Sequence, residues 1–294
     1  MGILKLLGEL FKGGGHARRT EEHISRGNGR ERRVIHSLPA LRERTISDIR
    51  GIRVLASACS DERSRDSGEM PSDPIRRESR ALIAAAKRVG CFVDAAAVPG
   101  SRYTIRTGES EVRMVQLEQV YYKIKNPFAK THLKKHPIEY ALFEHVVHNI
   151  LFPDCRLEFI GVAEDMREAR IVYRQNAVCS DTRPDDRQIE ERLWEMGLRR
   201  NGRYSFGNDF LFVTDVGQDS DNVLLDDDGN LRFIDPIIGF ERPLLGLLSS
   251  AIESESKVSE ILSAIYSLSQ EERGSLSAIG GHRVRHDCHS KMPH

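Results

Sequence analysis

The sequence predicts an α+β fold, and three observations carry that expectation. Strand-type runs cluster at 102–124, where Arg102 to Arg106 alternates, Val112 to Leu117 resumes and Val120 to Ile124 follows. A helix opens at Pro137, and Ile138, Leu142, Val146 and Ile150 recur every fourth residue along one apolar stripe. A hairpin is marked by Asn222 to Leu225 and Leu231 to Asp235 flanking Asp226-Asp227-Asp228-Gly229-Asn230, with Asp-Gly at its tip.

Along the chain, residues 1–80 read as a disordered, basic arm. They hold Gly13-Gly14-Gly15, clusters such as Arg18-Arg19 and Arg32-Arg33, and 17 Lys and Arg against 12 Asp and Glu. No apolar period is sustained there beyond a short amphipathic opening. Such an arm is solvated, or makes a weak contact with nucleic acid or an acidic partner. Order is expected to begin near Arg80. Ser79 to Val89 is Ala-rich and stops at Gly90, a natural helix end. Asn126-Pro127 ends the third strand. Proline at 137 suits the first helical position, where its missing N–H has no partner to lose. Leu157 to Val162 and Ile171 to Tyr173 read as strands, and Asp185 to Met196 as a helix ending at Gly197. Phe210 to Val213 is an apolar strand, residues 244–268 are helical, and 269–294 form a disordered tail.

Composition bounds the function. The chain has 294 residues, 44 Lys and Arg against 44 Asp and Glu, and 39% apolar residues. Zero net charge argues against a globally basic nucleic-acid binder. No apolar run approaches the length of a membrane span, and the opening Met1 to Glu9, interrupted by charge and without a small-residue cleavage site, does not read as a signal peptide. Five scattered cysteines without a Cys-x-x-Cys pair point to a reducing cytoplasm. The tail's His282, His286, Cys288, His289 and His294 match no paired zinc spacing. No P-loop, Gly-x-Ser-x-Gly or His-Glu-x-x-His pattern occurs.

The chemistry concentrates in Asp215 to Asp235. An Asn precedes the hairpin and an Asp follows it, so the fold-back lets both oxygen-bearing side chains converge. Converging oxygens are what Mg²⁺ takes, keeping waters and adding substrate phosphates. Asp215 ends an apolar strand, within reach of a reacting hydroxyl. Asp226 to Asp228 are turn residues, and a calcium loop fails because its first ligand position would be Leu224.

Asn222 to Leu225, the hairpin and Phe233-Ile234-Asp235-Pro236 resemble the catalytic and metal-binding segments of protein-kinase-like phosphotransferases, with Asp235 13 positions after Asn222. The pattern is most similar to the kinase-like domain of bacterial polyvalent proteins of phages and mobile elements. Gly108-Glu109-x-x-Val112, Val120-Tyr121-Tyr122-Lys123, Pro137-x-Glu139-Tyr140, His148-Asn149 with Phe152-Pro153, and Tyr173-Arg174-Gln175 stand in its order, over about residues 81–240. The resemblance implies a two-lobed fold, with a strand-rich nucleotide lobe over 81–178 and a reduced helical lobe over 179–268. It implies ATP and Mg²⁺ as cofactors and an unidentified hydroxyl acceptor in a bacterial or phage-encoded cytoplasmic protein. Lys123 would contact the nucleotide phosphates, with Lys125 as rival, and Glu139 would pair with Lys123. Gly108 would approach the phosphates, residues 171–177, including Gln175, would form the hinge that borders the adenine, and Asn222 and Asp235 would hold the metal.

The superfamily's catalytic Asp stands five residues before the Asn, where this chain has Gly217. Asp215 serves if the loop carries a two-residue insertion, Asp219 is the alternative, and the third option is that the base is lost. The sequence therefore supports an ATP-dependent phosphotransferase, or a catalytically weak nucleotide-binding module that acts by interaction.

Overall fold

A computed structural model describes residues 29–65, 73–103, 110–129, 137–178, 180, 182–254 and 257–266. Gly108, the His-bearing tail and residues 1–28 lie outside this set. Helices α1 (Gly29–Arg65) and α2 (Pro74–Val89) come first. Strands β1 (Ser101–Tyr103), β2 (Ser110–Val115) and β3 (Val120–Lys125) follow, then α3 (Pro137–Leu151), β4 (Glu158–Asp165) and β5 (Glu168–Asn176). These strands form a five-stranded antiparallel sheet in the order β1-β2-β3-β5-β4.

The second half opens with α4 (Asp186–Glu195), β6 (Arg199–Gly202), β7 (Ser205–Gly207) and β8 (Leu211–Thr214). The hairpin β9 (Val223–Leu225) and β10 (Leu231–Phe233), strand β11 (Ile237–Phe240), and helices α5 (Arg242–Glu253) and α6 (Val258–Ile265) complete it. A four-stranded sheet runs β11-β8-β7-β6, and β9 and β10 pair separately. The content is α+β, as the sequence predicts.

Local chemistry sets several boundaries. The Asp73 side chain accepts from the Ile75 N–H at 2.9 Å and caps α2, with Pro74 in the first turn. Gly90 ends the same helix at φ 76°, a left-handed conformation that glycine adopts without strain. Asp185 and Gln188 form a reciprocal capping box on α4.

The expectation of a disordered arm over 1–80 is corrected for 29–65, which is one helix of 37 residues. Its residues Ile49, Ile52, Leu55, Ala56 and Cys59 are buried in the same core as α2, α3 and α6. The stripe was obscured because two of its positions are polar. Thr45 returns its hydroxyl to the Leu41 carbonyl at 2.8 Å, and Asp48 accepts from Asn149 and Arg156. The arginines of this helix also serve the fold. Arg42 donates to Ser259 at 3.2 Å, Arg53 to the Ala251 carbonyl at 3.2 Å, and Arg63 to Glu139 at 2.8 Å. These three guanidiniums tie the helix to the rest of the fold. The expected helix over 244–268 is in fact α5 and α6, interrupted where Ser254 turns extended. The β6–β7 hairpin and β11 gave no strand signal, the first because its outer strand is Arg199-Arg200-Asn201-Gly202, exposed throughout.

Helix α3 buries two histidines. His148 is 3% exposed, and neither ring nitrogen has a hydrogen-bond partner. Burial, reinforced by Lys123 and Lys125, pushes its pKa from 6.5 down to about 3, and burial lowers His145 as well. Such an imidazole binds fewer protons folded than unfolded. Its stability is therefore fully present above pH 6.5 and is lost as pH falls toward 3. We expect the unfolding free energy to fall between about pH 6.5 and 5, His148 alone contributing a slope of up to roughly 1.4 kcal/mol per pH unit, so that the unfolding midpoint drops, and His148→Leu to flatten the slope. A midpoint level across that interval in the parent chain refutes the assignment.

Candidate active site

The site is built on β3. Lys123 and Lys125 stand two residues apart, so both side chains leave the same face of the strand. Strand β3 lies between β2 and β5, with Lys123 opposite Val112 on one side and Tyr173 on the other. The Lys123 ammonium, 3% exposed, donates to the Ile234 carbonyl at 2.8 Å and approaches Asp235 Oδ1 at 3.5 Å. Lys125 meets the same Asp235 oxygen at 2.7 Å. Burial pulls the Lys123 pKa down to about 8 against the upward pull of Asp235. Burial would raise the Asp235 carboxyl, but the two ammoniums outweigh it and hold Asp235 far below the usual carboxylate range. Asp235 is therefore a permanent anion.

Helix α3 supplies the facing wall. Ala141, Glu144, His145 and His148 stand at i, i+3, i+4 and i+7, which is one helical face, and all four line the same cavity. Glu139 lies about 180° around the axis from His148. It pairs with Arg63 of α1 at 2.8 Å. The expected Glu139–Lys123 pair is thereby corrected: Lys123 takes Asp235, and Glu139 faces away from the cavity.

The third wall is the loop between β8 and β9. Asp215 has φ 63°, a left-handed conformation in which Asp is tolerated better than most residues. Three hydrogen bonds hold it. Its carboxylate accepts from Asn222 Nδ2 at 2.7 Å, and its carbonyl accepts from Asn222 Nδ2 at 3.1 Å and from the Ser220 hydroxyl at 2.9 Å. Gly217 is required because a Cβ there would lie 2.2 Å from the Tyr204 ring. The Tyr204 hydroxyl donates to Asp219 at 2.9 Å, which holds that carboxylate outside the cavity wall and raises the Tyr204 pKa. Hairpin pairing continues one step past β10, where the Ile234 N–H donates to the Asn222 carbonyl at 2.7 Å. That step pairs Asn222 with Ile234, the residue before Asp235, and both Asn222 and Asp235 line the cavity.

The cavity between these walls measures about 500 Å³. Of the residues singled out in the sequence, Asp215, Asn222, Asp235 and the rival Lys125 line it. Lys123 lies behind Asp235. Gln175 is 2% exposed and turns to the protein interior, donating to the Cys155 carbonyl at 2.6 Å and the Ile234 carbonyl at 3.3 Å. Asp219, Glu139 and Gln175 are not in the wall. Glu144 and His145 are wall residues that the sequence reading did not single out, while His148, Ile171 and Tyr173, which stand in the quoted motifs and the expected adenine-bordering segment, also line it. The three on α3 carry a signal in hindsight, since they are polar at helical spacing on the side opposite Glu139.

Among the described residues, no group of three or more His, Cys, Asp or Glu forms a ready cation site. Mg²⁺ does not require one, because it binds through one or two protein oxygens and keeps waters and phosphates. The donor set fits that mode. Both lysines approach Asp235 at Oδ1, and Asn222 engages Asp215 through its Nδ2, which directs the amide oxygen elsewhere.

A family model described as the serine/threonine/tyrosine kinase found in polyvalent proteins matches residues 76–242, more than half of the chain. No curated protein and no solved structure matches it. The matched segment spans α2 to β11 and contains every wall of the cavity. The chain therefore belongs to the family of serine/threonine/tyrosine kinases found in polyvalent proteins.

Proposed function

We propose that the chain transfers the ATP γ-phosphoryl group to a hydroxyl acceptor in an Mg²⁺-dependent reaction. The observation that carries this reading is the convergence of Lys125, Asp215, Asn222 and Asp235 on one cavity. The nucleotide would lie between a strand-rich lobe over 81–178 and a reduced lobe over 179–268. Asn222 and Asp235 would hold Mg²⁺, which neutralises phosphate charge when bound. Lys125 is the phosphate contact, because it reaches the wall that Lys123 does not. Asp215 orients the acceptor hydroxyl and takes its proton as the new O–P bond forms and the β–γ bridge breaks, releasing ADP. Positioning and charge neutralisation supply most of the rate in such sites. The free, buried thiols Cys59, Cys91 and Cys155 have pKa values pushed up to about 12, 11 and 11 by burial, so they stay protonated and inert. That suits the reducing cytoplasm of a bacterial host.

A second reading, a nucleotide-binding module without turnover, is favoured by one contact. The Asp215 carboxylate is already engaged by Asn222, which ties the base to the metal ligand.

Labelled ATP separates the two readings, since only the first yields phosphorylated acceptor, with autophosphorylation as the simplest case. Asp215→Asn should lower turnover by roughly 10²–10⁴-fold with nucleotide binding retained, while Asp219→Asn leaves it near the parent value. ATP binding with no turnover in the parent chain selects the module. For the lysines, nucleotide titration with thermal melts decides. Lys125→Met should weaken ATP binding by about 10- to 100-fold, the worth of one charge-assisted contact, with little change in melting. Lys123→Met should lower the melting point instead, because Ile234 and Asp235 lose a buried donor. The reverse pattern returns the phosphate role to Lys123.

A further inference from the structure

Helix α1 precedes the family-matched segment, yet it grips α3 at both ends. At the start of α3, Arg63 donates to Glu139 at 2.8 Å and to Glu78 of α2 at 3.0 Å. Near the other end, Asp48 is 1% exposed and accepts from Asn149 Nδ2 at 3.1 Å and from Arg156. Asn149 is fixed further by the Leu157 backbone, accepting from its N–H at 2.8 Å and donating to its carbonyl at 3.0 Å. The same amide lies 3.0 Å from His145 Nε2, and His145 stands in the cavity wall.

These grips are polar where apolar packing would suffice for adhesion. A buried carboxylate costs free energy unless fully hydrogen-bonded, so Asp48 is a poor choice for stability alone. Hydrogen bonds are directional, whereas apolar contacts tolerate sliding and rotation. Glu139 and Asn149 lie about 15 Å apart along the helix axis and about 80° apart around it. Two directional contacts so placed fix both the tilt and the rotation of α3. They thereby set where Glu144, His145 and His148 meet the cavity.

We propose that α1 is a built-in clamp on the cavity face of α3, with Asp48 and Arg63 as positioning residues for the site. Their consequence for phosphoryl transfer rests on the function proposed above; the clamp itself does not. Neither residue lines the cavity. Both act through α3.

The full chain tests this with Asp48→Asn, Arg63→Gln and the conservative Arg63→Lys. Amide hydrogen exchange over 137–151, read without nucleotide, should rise about tenfold in Asp48→Asn and Arg63→Gln, with α4 and β6–β8 unchanged. Turnover should fall on the order of 10- to 100-fold, with the KM for ATP moving less, since a small misplacement of the wall is felt in the chemical step. Arg63→Lys, one ammonium in place of a guanidinium that reaches both Glu139 and Glu78, should recover both only in part. Unchanged exchange over α3 overturns the clamp, as does a uniform rise across the whole protein, which marks general destabilisation. A parent chain that never turns over ATP removes the phosphotransfer reading, and the exchange pattern still decides the clamp by itself.

Discussion

Burial of the Lys123 ammonium constrains the rest of the site. A charge at 3% exposure in the middle of a sheet requires an anion and a full set of acceptors. The turn after β10 supplies the anion and a hydrogen-bond acceptor, where the Asp235 carboxylate and the Ile234 carbonyl meet the ammonium. Gln175 on the neighbouring strand donates to the same carbonyl. The five-stranded sheet is thereby tied to the hairpin through one backbone group and one carboxylate. Asp235 is locked in register and kept ionised, and its position fixes Asn222 through the hairpin pairing. Lys125, one pleat further on, completes the charge balance from the cavity side.

The loop between β8 and β9 obeys a different constraint. Asp215 needs a left-handed turn to leave β8 toward the cavity, and Asn222 and Ser220 stabilise that turn by returning to its carbonyl. Tyr204 then closes over Gly217 and takes Asp219, which draws that carboxylate away from the cavity wall. An acidic loop with several candidate bases thus becomes a wall with one carboxylate facing inward.

Helix α3 reconciles three demands on one cylinder. Ile138, Leu142, Val146 and Ile150 serve the core, Ala141, Glu144, His145 and His148 serve the cavity, and Glu139 with Asn149 serves α1. Its period is legible in the sequence only for the first of these, because apolar spacing is the signal that a sequence reading weighs. The neutral, unpartnered His148 belongs to the second demand: desolvation is tolerated there because the ring sheds its charge.

The sequence by itself determined the α+β class, the end of α2 at Gly90, the limits of α4 through its caps, and the hairpin with its Asp-Gly tip; the start of α2 at Pro74, capped by Asp73, was not legible in it. Each feature so determined is local: a cap, a turn or a two-strand register is specified within a few residues. The tertiary structure alone decided which lysine is buried, because Lys123 and Lys125 share a strand face and differ only in what packs against them. It decided likewise that Asp215 faces the cavity and Asp219 faces Tyr204, and that Glu139 answers to Arg63. It also decided that 29–65 is a helix, since the stripe of α1 runs through Thr45 and Asp48, whose polar atoms are satisfied in place by Leu41, Asn149 and Arg156. A polar residue reads as core only when its partners are known, and those partners lie up to a hundred residues away along the chain.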